Sequence, residues 1–235
     1  MLHGTLWLRK SMTKSILIIA SHPDDEVLGC GGAILRHIDK GDKVSLLFMT
    51  DGVSSRLKTS RKNIRSRIKA LKRSSSILGV QSYHHFNFPD NSMDKHPLLN
   101  IVKKIETIIK KIQPSVIYTH HHGDLNIDHK ITHNAVMTAC RPLPDSTVHE
   151  IYGFEVLSST EWATQHKSVF IPNLYIDITK YMNKKIKALE AYNEELRKPP
   201  HSRSIEHVKI LAKHRGYSMG VEMAEAFEVY RIINR

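Results

Sequence analysis

Residues 15–26 read Ser15-Ile16-Leu17-Ile18-Ile19-Ala20-Ser21-His22-Pro23-Asp24-Asp25-Glu26, a continuous apolar run that breaks off into an imidazole and three carboxylates. An apolar stretch with no polar alternation is the pattern of a strand buried on both faces, as in a parallel sheet with helices above and below it. Pro23 fixes its own φ and restricts His22, so the polar cluster is presented from a stiff turn rather than a loose loop. In open α/β sheets ligands bind at the carboxyl ends of the strands, which is where this turn falls. A Gly-rich turn (Gly29-Cys30-Gly31-Gly32) and a helix-like segment follow, completing a strand-loop-helix opening.

The pattern repeats outward. Lys43–Thr50 reads as a second buried strand entered through Gly41-Asp42, and residues 62–78 as a helix stopped by Gly79. Tyr83–Phe88 reads as a third strand, ended by Pro89-Asp90-Asn91. Ile101, Ile105, Ile108, Ile109 and Ile112 share one face of a helix that Pro114 terminates. Ser115–His120 is a fourth strand, and the segment from Asp128 to Arg141 carries Ile131, Ala135, Val136 and Ala139 on one side. Glu150–Leu157 and Leu174–Ile178 add strands, and 183–196 and 205–214 read as surface helices linked through Pro199-Pro200. Such alternation predicts an α/β fold with a mostly parallel sheet and right-handed crossovers. At 235 residues and 40% apolar content, the chain suits one core. The expectation is a single domain over residues 15–235, preceded by an N-terminal extension over 1–14 in which Met12 is an alternative start.

Two cysteines, Cys30 and Cys140, form neither a disulfide framework nor a CxxC metal pair. No apolar run approaches the roughly 18 residues that span a bilayer, and the N-terminus lacks a signal-peptide core, so a cytoplasmic protein is expected. The net charge of +12 is local: residues 56–73 hold nine Lys or Arg, and no carboxylate occurs between Asp51 and Asp90. An ordinary solvated helix face accounts for such a run; a landing strip for phosphates or anionic lipid is the functional alternative. Nucleic acid is not an expected partner, because no aromatic residues interleave the run and no RNP, zinc-finger or zipper pattern accompanies it.

The His22–Glu26 cluster exceeds what helix capping requires, since a cap uses one Asp. A second cluster, His120-His121-His122-Gly123-Asp124-Leu125-Asn126-Ile127-Asp128-His129, begins at the end of the fourth strand, where the sheet can bring it beside the first. Catalytic zinc takes three protein ligands from His, Asp and Glu and keeps a fourth position for water. One His and one Asp from the first cluster with one His from the second meet that count. A rival pairs His129 with His133 four residues on, but Lys130 stands where a helical zinc motif needs Glu. His120, His121 and His122 divide between a pocket role and ordinary strand-end positions. Gly29–Gly32 does not match GxGxxG, which argues against a dinucleotide site.

Together, the segment Ser21 to Glu26 after the first strand and Asp124 to His129 after the fourth resemble the LmbE-like, or PIG-L, family of zinc-dependent N-deacetylases. The likeness continues through Thr50-Asp51-Gly52, Phe88-Pro89-Asp90-Asn91, Phe154-Glu155 and Gly216 to Phe227, which ends in Ala224-Glu225-Ala226-Phe227. The resemblance implies a Rossmann-like three-layer α/β/α fold. It implies Zn2+ held by His22, Asp25 and His129, with Asp24 as the general base and Asp128 orienting the second motif by hydrogen bonding. Many members carry a histidine where this chain has Asn126. An amide can donate to an oxyanion but cannot shuttle a proton, which leaves the acid for the departing amine to Asp24, His120 or His121. The donor set would also accept iron(II) or cobalt.

Members act on N-acetylglucosamine carried on a lipid, a thiol conjugate, an antibiotic or a nucleotide. The implied reaction is removal of an N-acetyl group from such a small-molecule amino sugar, nucleotide- or lipid-linked, in surface glycan biosynthesis. The basic stretch favours a phosphate-bearing substrate, with Arg56, Arg65 and Arg67 as grips and His120, His121 and Glu155 as further contacts. Peripheral membrane contact and a homo-oligomer are left open.

Overall fold

The computed structural model describes residues 13–56, 58–164 and 168–234. Most of the expected extension, Met12 included, lies outside the described residues. Lys14 is already tied to the sheet: its backbone N–H donates to Asp42 Oδ1 at 2.9 Å and its Nζ to Glu150 Oε1 at 2.6 Å.

In chain order the elements are β1 (Ser15–Ala20), α1 (Asp25–Asp39), β2 (Lys43–Thr50), α2 (Arg61–Leu78), β3 (Ser82–Phe88), α3 (Leu98–Ile112), β4 (Val116–His120) and α4 (Ile127–Ala139). They continue with β5 (Glu150–Phe154), β6 (Leu174–Asp177), α5 (Met182–Glu190), α6 (Ile205–Tyr217) and β7 (Ala224–Ile232). One seven-stranded sheet has the order β3-β2-β1-β4-β5-β7-β6. The first five of these strands pair in parallel, and β7 runs antiparallel to both β5 and β6.

Period-two alternation splits the apolar strand residues between two cores. Ile16, Ile18, Leu46, Phe48, Val116 and Tyr118 face α1, α2, α5 and α6. Leu17, Ile19, Leu47, Met49 and Ile117 face α3 and α4. The helices after β1 and β2 therefore lie on one face and those after β3 and β4 on the other. The crossovers change face at the β1/β4 pair, registered Ile16 to Val116 and Ile18 to Tyr118, so a crevice opens beyond the carboxyl ends of these two strands.

Three elements differ from the sequence reading. The glycines of residues 29–32 lie inside α1, not in a turn before it, and the helix is broken only at Cys30 (φ −145°, ψ 23°). A Cβ on Gly29 would sit 2.3 Å from the Phe154 ring, so glycine lets α1 approach the sheet closely. The helix expected over 183–196 ends at Glu190; Tyr192 and Glu195 donate their N–H groups to Leu189 and Tyr192 three residues back, in turns. Strand β7 was not anticipated beyond the likeness of its first four residues, because its buried Glu225 and Glu228 disguise the alternation. No helix among the described residues is long and apolar enough to cross a membrane.

Candidate active site

The β1–α1 turn forces Asp24 into a left-handed backbone conformation (φ 128°), uncommon for a residue with a Cβ. This turn sets the Asp25 carboxylate under the site, where Oδ2 accepts the His22 backbone N–H at 2.8 Å. His129 arrives from the first turn of α4, whose N-cap is Asn126: Asn126 Oδ1 accepts the Asp128 N–H at 2.8 Å. His22 Nδ1, Asp25 Oδ2 and His129 Nε2 then form a triangle with edges of 3.1, 3.2 and 3.2 Å. Tetrahedral N/O ligands about 2.0–2.1 Å from a zinc ion stand about 3.3 Å apart, so these three atoms fit one divalent metal.

Each imidazole is backed by carboxylates on its other nitrogen. His22 Nε2 lies 3.2 Å from Asp128 Oδ2 and 3.1 Å from Asp90 Oδ1, and His129 Nδ1 lies 3.1 Å from Asp124 Oδ1. The hydrogen bond of His22 Nε2 with Asp128 selects the tautomer that leaves Nδ1 free to coordinate, whereas the Asp124 carboxylate lies beside His129 Nδ1 without forming a hydrogen bond. Asp128 is itself fixed by the N–H groups of Asn91 (2.7 Å) and Met93 (3.1 Å), and so ties the second motif to the loop after β3. Asp124 accepts from Ser159, from Thr160 Oγ1 at 2.7 Å and from the Asn126 N–H at 2.8 Å. Burial pushes the Asp25 carboxyl up, but His129 and His22 beside it outweigh that and hold it well below the ordinary range.

Asp24 adjoins this triad and is also buried. Its Oδ2 lies 3.3 Å from Arg203 Nη1 and 3.5 Å from Arg67 Nη1. Burial raises its pKa above the usual carboxylate value, with the two guanidinium groups opposing. A cavity of about 190 Å3 opens over these groups; His22, Asp24, Asp25 and His129 share its lining with Asn126 and Arg203 among others.

Two other groups of side chains approach metal-ligand spacing among the described residues. In one, the 2.7 Å contact of His121 Nδ1 with Glu228 Oε2 is a hydrogen bond, and Glu228 also accepts from Tyr230 and from the Ile171 N–H. The other, His22 with Asp90 and Asp128, is the carboxylate backing already described.

Residues 17–140 match the family model described as PIG-L, GlcNAc-PI de-N-acetylase. The chain belongs to the PIG-L family. An uncharacterised deacetylase of Escherichia coli, YaiS, is 33% identical over 192 residues, covering 76% of this chain and 90% of its own length. In shape the chain resembles N,N'-diacetylchitobiose deacetylase from Pyrococcus horikoshii, with a TM-score of 0.77 at 23% identity over 94% of this chain and 85% of that one. It also resembles 4-carboxy-2-hydroxymuconate hydratase from Pseudomonas putida, with a TM-score of 0.73 at 19% identity over 95% of this chain and 99% of that one. These likenesses in shape carry the three-layer α/β fold alone, and the second shows that frame hosting a different reaction.

Within this PIG-L frame the structure brings together His22, Asp24, Asp25, Asn126, Asp128 and His129, and separates other residues expected at the site. Arg65 is exposed on α2 and does not line the cavity. Arg67 lines the cavity from a buried position and donates to the backbone carbonyls of Pro23 (2.6 Å) and Gly52 (2.9 Å), so it also staples two strand-end loops. Arg56 does line the cavity, in contact with Glu195. Glu155 lies outside the cavity lining, in a two-point ion pair with Arg215 (2.9 and 2.8 Å).

His121 is likewise absent from the lining, held between Glu228 and the Ser168 carbonyl. His120 is fully buried; its Nε2 accepts the Ser21 N–H at 2.8 Å and its ring stacks on His129 at 3.9 Å, so it supports the site from behind. Burial holds its pKa well below the ordinary value. The rival ligand His133 contacts the His120 carbonyl at 3.0 Å and stays outside the triad. Apart from Arg67, the basic run on α2 is largely a solvated face. Asp90 and Asp124 fall inside the Phe88–Asn91 and Asp124–His129 motifs, which assign them no role, and Arg203 and Glu195 carry no signal in the sequence.

Proposed function

We propose that this PIG-L-family chain is a zinc-dependent hydrolase that removes the N-acetyl group of an amino sugar. The observation carrying the reading is the triangle of His22, Asp25 and His129 beside the buried Asp24, at the floor of a solvent-open cavity. His22, Asp25 and His129 would hold the metal, which when bound supplies a Lewis acid for the acetamide carbonyl and acidifies water.

Asp24 takes the proton of the attacking water and returns it to the departing nitrogen, so that amide and water become acetate and a free amine. Arg67 and Arg203 orient its carboxylate for that exchange. Asn126 uses Oδ1 to cap α4 and one Nδ2 hydrogen toward Asn91 Oδ1 at 3.0 Å, which leaves a second N–H for the developing oxyanion. The sugar in the description of the matching family model, GlcNAc-PI de-N-acetylase, supports an N-acetylglucosamine-type substrate.

The test is acetate release from N-acetylglucosamine, its UDP conjugate and a lipid-linked form, using metal-stripped and zinc-reloaded protein. Release restored by zinc from any of them supports the reading. Silence across the panel, with about one metal bound per chain, removes it.

A further inference from the structure

Three guanidinium groups converge on one carboxylate at the edge of the cavity. Glu195 Oε1 touches Arg56 Nη2 and lies 2.7 Å from Arg67 Nη2, while Glu195 Oε2 lies 3.7 Å from Arg203 Nη1. The Glu195 side chain is 9% exposed, against 40% for Arg56 and 22% for Arg203. A buried carboxylate needs a charged partner, and Arg67 alone meets that need. Arg67 is already fixed by two backbone carbonyls, so the presence of Arg56 and Arg203 is not explained by the burial of Glu195.

Among the described residues, the Arg56 side chain uses only Nη2, and Arg203 uses Nη1 and Nε, the latter donating to Ser158 Oγ at 2.9 Å. Each guanidinium carries five N–H donors in a planar fork suited to an oxyanion, so both keep donors in reserve on side chains that line the cavity. Within this ion-pair cluster three guanidinium groups meet the two carboxylates of Asp24 and Glu195, while Asp25 and Asp90 in the same lining pair with His22 and His129. Glu195 stands in the turns after α5, outside any helix or strand, where its displacement breaks no regular ladder.

We propose that Glu195 is an internal stand-in for an anionic group on the substrate, and that Arg56 and Arg203 form the subsite that receives that group. The substrate class is then an N-acetylamino sugar bearing a carboxylate or phosphoryl group near its acetamide ring. The proposal rests on the deacetylase reading for the identity of the sugar, but binding tests it separately.

The metal-stripped protein is titrated calorimetrically with N-acetylglucosamine, N-acetylglucosamine 1-phosphate and N-acetylmuramic acid. At least one anionic sugar is expected to bind roughly tenfold tighter than the neutral one, the gain of one added charge-assisted fork. The two anionic arms separate a phosphoryl from a carboxylate preference. Arg56→Gln is expected to shrink the anionic preference to a few-fold, and Glu195→Gln to enlarge it by removing the internal competitor. A purely structural Glu195 would instead lower the melting temperature of Glu195→Gln and leave the preference untouched. Equal affinities for the three sugars, or no binding by any, would overturn the subsite. Zinc-reloaded protein is assayed on the same sugars: selective binding without acetate release would sink the deacetylase reading and keep the subsite, and release without selectivity would do the reverse.

Discussion

Asp24 is held in place by its backbone as much as by its neighbours. Its φ of 128° is a conformation that costs of order 1–3 kcal/mol for a non-glycine residue and persists only where the surroundings over-determine it. Here the N–H groups of Val27 and Leu28 bond the Asp24 carbonyl, while Glu26 Oε2 accepts the Asp24 N–H. Asp24→Asn keeps that backbone and leaves His22 Nδ1, Asp25 Oδ2 and His129 Nε2 alone. Acetate release by the zinc-loaded variant is expected to fall by about 10²–10⁴-fold with metal content unchanged. Near-full turnover would assign the proton transfer to another group. His133 offers a test of stability. Burial lowers its pKa to about 4, with the His120 carbonyl opposing. Because the folded value lies below the unfolded value of about 6.5, the stabilisation is complete above pH 6.5 and is lost as pH falls toward 4, by up to ~3 kcal/mol. Urea unfolding of His133→Gln is expected to be flatter across that window than wild type, and parallel curves would refute the assignment. His22, Asp25 and His129 were visible in the sequence because they sit in dense polar clusters at strand ends. Arg203 and Glu195 were not, since a lone Arg or Glu in a polar loop acquires a role only through the chain that folds against it.

The break in α1 shows why the Ala224-Glu225-Ala226-Phe227 segment accompanies the strand-end motifs. At Cys30 the helix loses its regular ladder, and the backbone groups it leaves are met from other elements. Glu225 on β7 accepts the N–H groups of Gly32 and Ala33, both at 2.7 Å, and so acts as a cap inside the helix. Lys185 on α5 donates to the Leu28 carbonyl at 2.9 Å and to Glu225 Oε1 at 2.7 Å. All these groups are buried, and a buried pair that loses one partner leaves an uncompensated charge. Glu225→Ala is therefore expected to destabilise the fold by about 3–5 kcal/mol, and adding Lys185→Met to recover part of that loss. Denaturant unfolding of both variants checks the claim. A cost under about 1 kcal/mol for the single variant would mean that water replaces the carboxylate. The sequence indicated that this segment mattered without indicating how, because capping a helix some 190 residues upstream leaves no local pattern.

At the scale of the whole molecule, the strand-helix alternation was legible because each buried strand is a short apolar run between turn residues, and such runs assemble in few ways. The antiparallel insertion of β7 between β5 and β6 was not, since its buried carboxylates look like surface residues until their partners are known. The same architecture concentrates negative charge. The ends of β1, β3 and β4 bring Asp24, Asp25, Asp90, Asp124 and Asp128 together, all at most 5% exposed. Their cationic partners are His22, His129, Arg67 and Arg203. A divalent metal in the triad relieves the repulsion among these carboxylates in the folded state and has no comparable site in the unfolded chain, so binding adds directly to stability. Free metal at a hundredfold excess over its dissociation constant contributes about 2.7 kcal/mol. For a chain of this length that corresponds to a rise of roughly 5–10 °C in melting temperature. Chelation is expected to remove this increment and zinc to restore it, with His129→Ala losing the response in thermal melts. A melting temperature indifferent to chelator and zinc would mean that the triangle of His22, Asp25 and His129 is held by protons alone.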